Sequence, residues 1–66
     1  MALYELAERR VNGLIVRLLW DSARNQVVLR YRDRDTGDAF VTDVPNPKAL
    51  TAFNHPNVFR PHAVAV

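Results

Sequence analysis

Three consecutive stretches of this chain have a mainly apolar set of residues at alternate positions, with short turn segments between them. Apolar side chains predominate at every second position of residues 14–20, 27–33 and 39–44. A period of two is typical of a β-strand that has one buried face. The intervening tetrapeptides, SARN at 22–25 and RDTG at 34–37, are rich in residues that favour hairpin turns. The pattern therefore predicts an antiparallel three-stranded meander over residues 14–44.

The turns also predict the register of the strands, because a slip of one position would move every apolar side chain to the other face. With Asp21 opposite Gln26 and Asp33 opposite Asp38, the facing pairs on one side of the sheet are all apolar. These pairs are Trp20 with Val27, Leu18 with Leu29, Val16 with Tyr31, Tyr31 with Phe40, and Val27 with Val44. This side is the expected core, and its predicted members are Val16, Leu18, Trp20, Leu29, Tyr31, Phe40, Leu50 and Phe53.

The same register gathers arginines on the opposite side of the sheet, where Arg17 faces Arg30 directly. Like charges in facing positions destabilise a sheet unless something neutralises them. The negative charge could come from Asp43, Glu5 or Glu8 within the chain, from a second copy, or from the phosphates of a nucleic acid. We expect an interaction face here, formed by Ile15, Arg17, Leu19, Val28, Arg30, Arg32 and Val41.

The N-terminal segment, residues 1–13, is compatible with two structures. A short helix would end at Asn12-Gly13, whereas a fourth strand would use the same dipeptide as its hairpin turn. The strand is favoured, and in either form the segment should lie beside the first strand of the meander.

The sequence VPNPKALTAFNHP, residues 44–56, carries start and stop signals for one helix at 47–54. Asn46 is expected to accept the first free amides, and Asn54 to take the left-handed conformation that ends the helix. Pro56 should then prevent its continuation.

Helical spacing is expected to place Ala49, Leu50 and Phe53 on the side that covers the sheet. Val58 and Phe59 should continue that apolar cover, and the tail, residues 60–66, should either fray or add to a sheet edge. The sequence therefore predicts an α+β fold, a three- to four-stranded antiparallel meander with one short C-terminal helix packed on one face.

Length and composition limit this fold to one small domain, residues 1–66. The chain is 48% hydrophobic and 24% charged, which is ordinary for a globular protein. So short a chain removes only about 60% of its surface from water on folding, so a second copy or another protein would help to stabilise it. The absence of cysteine, of a signal sequence and of a long apolar run predicts a cytoplasmic protein without membrane contact.

Residues typical of catalysis or metal binding form no recognisable constellation. His55 and His62 are separated by two prolines and have no cysteine or nearby acid to complete a metal site. Ser22 has no histidine close in sequence to activate it. The Asp-Thr-Gly at 35–37 follows Arg-Asp-Arg, as in an exposed turn rather than a buried acid pair. We therefore expect no enzyme, no cofactor and no metal.

The segments LLWDSARNQVVLRYRDRDTGDAF, VP and ALTAFNHP occur in this order within residues 14–56. In order and spacing they resemble short uncharacterised proteins of actinobacteria. The resemblance implies a compact module of sheet and helix, and it transfers no site residue.

Two functions are compatible with these features. The first is a small protein-interaction module that self-associates, as a homodimer, or binds another protein through the mixed arginine and aliphatic face or through a strand edge. The alternative is a nucleic-acid-binding protein that uses the arginine-rich face. Aliphatic residues lie between the arginines and acidic residues lie in the adjacent turns, which favours the first function.

Overall fold

Four strands followed by one short α-helix make up the computed structural model, which describes residues 3–61. The strands are β1 (Leu3–Val11), β2 (Leu14–Asp21), β3 (Gln26–Asp33) and β4 (Ala39–Val44). After β4, a 3₁₀ helix at Asn46–Lys48 leads into α1 (Ala49–Asn54), and a second 3₁₀ helix follows at Pro56–Phe59. The sheet has the order β1-β2-β3-β4 with every neighbour antiparallel, so the predicted α+β meander is confirmed.

The predicted register is confirmed in both hairpins of the central meander. Asp21 faces Gln26, and the amide of Asp33 donates a hydrogen bond of 2.7 Å to the carbonyl of Asp38. Each apolar pair expected from the sequence is a facing pair in the sheet, and Arg17 faces Arg30. Alternation together with turn position was therefore sufficient to predict this register.

Within the N-terminal segment, Leu3–Val11 form a strand, as favoured from the sequence, and Asn12 and Gly13 form the turn that joins it to β2. Both residues have positive φ, 52° for Asn12 and 108° for Gly13, as a two-residue hairpin turn requires. The carbonyl of Gly13 also accepts a 2.9 Å hydrogen bond from the amide of Arg34. The β1–β2 turn is thereby tied to the turn between β3 and β4.

One extra residue interrupts the pairing of β1 with β2. Glu5 faces Leu19 and Ala7 faces Leu18, so Leu6 forms a β-bulge between them. In a regular strand, Glu5 and Glu8 would lie on opposite faces, because side chains alternate. The bulge changes that parity, and both glutamates lie on the arginine side of the sheet, where they contact Arg17.

The core lies between the other face of the sheet and the C-terminal segment. Its buried apolar residues are Val16, Leu18, Val27, Leu29, Tyr31, Val44 and Ala52. Trp20, Phe40, Phe53 and Phe59 are partly buried and pack against them. Val16, Leu29 and Val44 are fully buried, so the most deeply buried part of the core lies over β2, β3 and β4.

The helix presents a different face to the sheet from the one expected. Leu50 is 73% exposed, so its prediction as a core residue is wrong. Ala52 is fully buried instead, and Ala49 and Phe53 pack beside it. Positions 52 and 53 lie about one turn after 49, on either side of it, so these three residues form the contact surface, whereas Leu50 is rotated by about 100° from Ala49 and lies outside it. Val58, also expected to cover the core, is 71% exposed.

The two predicted caps of this helix are also wrong. Asn46 caps nothing, because its Oδ1 accepts a 2.9 Å hydrogen bond from the amide of Val27 and its Nδ2 donates to the carbonyl of Asn25. Within residues 3–61, the non-glycine residues with positive φ are Asn12 and Asn25, so Asn54 is not left-handed. The helix ends at Asn54 with the amide of His55 donating to the carbonyl of Thr51.

None of the helices within residues 3–61 is long and apolar enough to cross a membrane. Of the predicted tail, residues 62–66 lie outside the described part of the chain, whereas Arg60 packs against the sheet.

Candidate interaction site

The arginine face is partly neutralised by carboxylates of β1. The Nε of Arg17 donates a 2.8 Å hydrogen bond to Glu8 and lies 3.4 Å from a carboxylate oxygen of Glu5. Glu8 also accepts a hydrogen bond from Arg10, and the bonds from Arg10 and then Arg17 lower the pKa of its carboxyl group. One of the three sources of negative charge that the sequence left open is therefore present, through the bulge in β1.

A second cluster at the end of this face is centred on Arg24. The guanidinium donates to Asp21 at 2.7 Å and forms a bidentate pair with Asp43 at 2.9 and 3.0 Å. Asp21 is buried and also accepts the amides of Ala23 and Arg24, so it holds the β2–β3 turn closed. The hydrogen bonds from Arg24 lower the pKa of both aspartates. Asp43, one of the acids expected from the sequence to neutralise the facing arginines, thus forms its ion pair with Arg24 and not with Arg30.

Arg30 and Arg32 have no ion-pair partner within residues 3–61. Both are exposed and lie two positions apart on β3, so their side chains leave the same face of the sheet. Together with Arg17 and Ile15 they line a shallow pocket of about 80 Å³. Ile15 faces Arg32 across the β2–β3 ladder and supplies the apolar part of its lining.

The aliphatic residues expected on this face contribute little exposed apolar surface. Val28 is only 5% exposed, so its prediction as an interaction residue is wrong. Ile15 and Leu19 are half-buried, whereas Val41 is 60% exposed. The surface that this face offers to a partner therefore consists mainly of guanidinium groups, and Val41 is its most exposed aliphatic side chain.

A larger exposed apolar surface lies along the edge of the sheet at β1. This strand is hydrogen-bonded on one side only, because β2 is its single neighbour. Its exposed large apolar side chains are Leu3 at 51%, Tyr4 at 57%, Leu6 at 53% and Val11 at 52%. The sequence alone does not single out these four residues, because the segment that contains them is compatible with either a helix or a strand.

The surface near β4 at the opposite edge is partly covered by Arg60. Its guanidinium lies 4.8 Å from the ring centre of Phe40 and 5.2 Å from that of Tyr31, and these two rings stack at 4.9 Å. Arg60 also forms an ion pair of 2.6 Å with Asp38, which lowers the pKa of that aspartate. This contact joins residues 22 positions apart, and no local pattern in the sequence predicts it.

A groove of about 360 Å³ lies where the end of α1 meets the β1–β2 hairpin. Arg9 crosses it, donating a 2.9 Å hydrogen bond to the carbonyl of Phe53 with its guanidinium 5.5 Å from the ring centre of that residue. His55 lies in the same groove, and His62 falls outside the described residues. In the described part of the chain, no group of three or more histidine, aspartate or glutamate side chains is arranged to hold a metal ion.

Comparison with known proteins adds no further constraint: no protein family, no curated protein and no solved structure matches this chain. The resemblance of residues 14–56 to short actinobacterial proteins stays a prediction.

Proposed function

We propose that this chain is a small non-enzymatic interaction module that forms a homodimer through the edge of β1. The observation that carries the proposal is the concentration of exposed apolar side chains on this unpaired strand, namely Leu3, Tyr4, Leu6 and Val11. An unpaired strand edge offers a row of backbone donors and acceptors to another strand. A chain of this size gains stability from such pairing, because its own core is small.

The two ends of β1 carry side chains that suit antiparallel pairing with a second copy of this strand. A register that places Tyr4 opposite Val11 of the second copy also places Glu5 opposite Arg10. Tyr4 and Val11 both lie on the core side of the sheet, whereas Glu5 and Arg10 both lie on the arginine side. The two-fold symmetry of a homodimer repeats each pair, so both ends of the interface join apolar to apolar and acid to base.

The other candidate surfaces are less suited to self-association. Contact between two arginine faces would oppose the unpaired guanidinium groups of Arg30 and Arg32. The β4 strand is shorter, is followed by Pro45, and lies beside the contact that Arg60 makes with Phe40. The absence of cysteine is compatible with a reducing compartment, and we place the dimer in the cytoplasm.

Size-exclusion chromatography with light scattering, on the full chain at several concentrations and two salt concentrations, tests the proposal. We expect the unmodified chain to be a dimer at micromolar concentration. Tyr4→Lys should be a monomer, because the new positive charge would lie diagonally opposite Arg9 of the second copy on the paired edge. Val41→Lys is the matched control, because Val41 is about as exposed as Tyr4 but lies on β4.

A chain that stays monomeric at every concentration would refute self-association. A dimer that Val41→Lys disrupts and Tyr4→Lys leaves intact would assign the interface to the arginine face instead. Absorbance at 260 and 280 nm is recorded in the same run. A nucleic-acid spectrum that is lost at high salt would favour the alternative function of nucleic-acid binding.

A further inference from the structure

We propose that the pocket formed by Ile15, Arg17, Arg30 and Arg32 binds the dianionic phosphate group of a phosphate monoester or of inorganic phosphate. This inference goes beyond self-association and uses a different surface, the face of the sheet rather than its β1 edge. It rests on a cluster of guanidinium groups held close together by the strand register, although like charges in such positions repel.

The strands determine the spacing of the donors. Arg17 and Arg30 are facing residues, and Arg32 follows Arg30 on the same face of β3. The Nε of Arg17 donates to Glu8 and lies near Glu5, and the hydrogen bond described for this guanidinium group is made by Nε, not by its two terminal nitrogens. Arg30 and Arg32 have no ion-pair partner among residues 3–61. The guanidinium groups of Arg30 and Arg32 are therefore available in full, and that of Arg17 in part, for the oxygens of one anion, and guanidinium groups are well suited to bind phosphate.

The local charge favours a dianion. The four arginines on this side of the sheet around the pocket are Arg10, Arg17, Arg30 and Arg32, and the carboxylates that contact them are Glu5 and Glu8. Two positive charges remain without a counterion within the described residues. A phosphate monoester carries nearly two negative charges at neutral pH, whereas a carboxylate or a phosphodiester carries one.

The size and lining of the pocket indicate a single anionic group. Its volume of about 80 Å³ is far below the roughly 300–1,000 Å³ of sites that enclose an organic ligand. Proteins that bind single-stranded nucleic acid stack bases on aromatic side chains. The aromatic residues of β2, β3 and β4, Trp20, Tyr31 and Phe40, all pack on the core side of the sheet. A terminal phosphate is therefore a better fit than a nucleic-acid backbone.

Isothermal titration calorimetry at pH 8 and constant ionic strength tests the site with three probes. These are inorganic phosphate, a thymidine oligonucleotide that carries a 5′-phosphate, and the same oligonucleotide without it. We expect saturable binding of inorganic phosphate, of the 5′-phosphorylated oligonucleotide, or of both, and comparing them distinguishes free phosphate from phosphate on an organic molecule. The unphosphorylated oligonucleotide should bind at least about tenfold more weakly than the phosphorylated one.

Arg30→Gln and, separately, Arg32→Gln should each weaken phosphate binding about tenfold or more, since each removes a charged donor. Both variants should fold, because each relieves repulsion between like charges on the sheet, and circular dichroism checks this. Arg34→Gln is the matched control: Arg34 is exposed, lies in the turn after β3 and does not line the pocket.

Three results would overturn the proposal. The first is the lack of saturable binding of both inorganic phosphate and the 5′-phosphorylated oligonucleotide up to millimolar concentration. The second is an equal loss of affinity in Arg34→Gln, which would indicate a response to net charge rather than a site. The third is equal binding of the oligonucleotide with and without its 5′-phosphate, which would indicate recognition of a nucleic-acid backbone.

Discussion

Replacing Leu29 by alanine tests the assignment of the core directly. Leu29 is fully buried and lies at the centre of the sheet, facing Leu18 on one side and Thr42 on the other. Truncating such a leucine removes buried methyl groups and leaves a cavity, which together cost about 2–5 kcal/mol. A 66-residue domain has a free energy of unfolding of roughly 3–10 kcal/mol, so this loss is a large part of the total. A loss of about 3 kcal/mol corresponds to a fall in Tm of roughly 10–25 °C.

Leu50→Ala makes the same chemical change at a site where the structure predicts almost no effect. Leu50 is 73% exposed, and surface substitutions usually change stability by less than about 0.5 kcal/mol. Urea unfolding followed by the fluorescence of Trp20, the single tryptophan, measures both variants on one scale. If Leu50→Ala costs as much as Leu29→Ala, the orientation of α1 described here is wrong. Should Leu29→Ala fail to fold, Val44→Ala removes a smaller group from an equally buried position.

Three further changes have expected outcomes. Arginines lower the pKa of the three aspartates in the ion pairs. The stability that these ion pairs contribute is fully present above the unfolded aspartate pKa of about 3.9. It is lost as the pH falls through the lower pKa values of the folded state. The urea midpoint should therefore decrease from pH 7 to pH 3, and an increase would contradict the pairing. Gly13→Ala should cost about 1–3 kcal/mol, because φ is 108° and the new Cβ would lie 3.0 Å from the Asp35 carboxylate. Gly37→Ala, with φ 77° and open space, should cost less in the same thermal melts. Asn46→Ala should cost about 1–3 kcal/mol, since it leaves the amide of Val27 without its acceptor. An unchanged midpoint for Asn46→Ala would show that water replaces that bond.

The meander was predictable because two independent signals in the sequence agree. A period of two assigns each residue of β2, β3 and β4 to a face, and the turn at 22–25 sets the offset between β2 and β3. Only one register leaves Leu18 facing Leu29 and Val16 facing Tyr31, and the structure has that register. The charge conflict between Arg17 and Arg30 was predictable for the same reason.

The features that the sequence did not reveal depend on contacts between distant residues or on very short elements. A helix of six residues makes fewer than two turns, so its apolar positions are compatible with more than one buried face, and Leu50 was assigned to the wrong one. Asn46 has the composition of a cap, but the amide of Val27 competes for its oxygen. The coverage of Phe40 by Arg60 requires the folded chain to bring the two residues together.

The bulge at Leu6 gives β1 an unusual tolerance to changes in chain length. Glu5 and Ala7 face Leu19 and Leu18, which are consecutive in β2, so deletion of Leu6 would leave every other pair of the ladder in place. A deletion at almost any other position of the strand would shift the residues on one side of it to the wrong face. Leu6 is thus a point at which this strand can lose a residue while the rest of the β1–β2 pairing is kept. Its removal would also convert an interrupted edge into a straight eight-residue strand, the form of edge most prone to indefinite pairing between molecules.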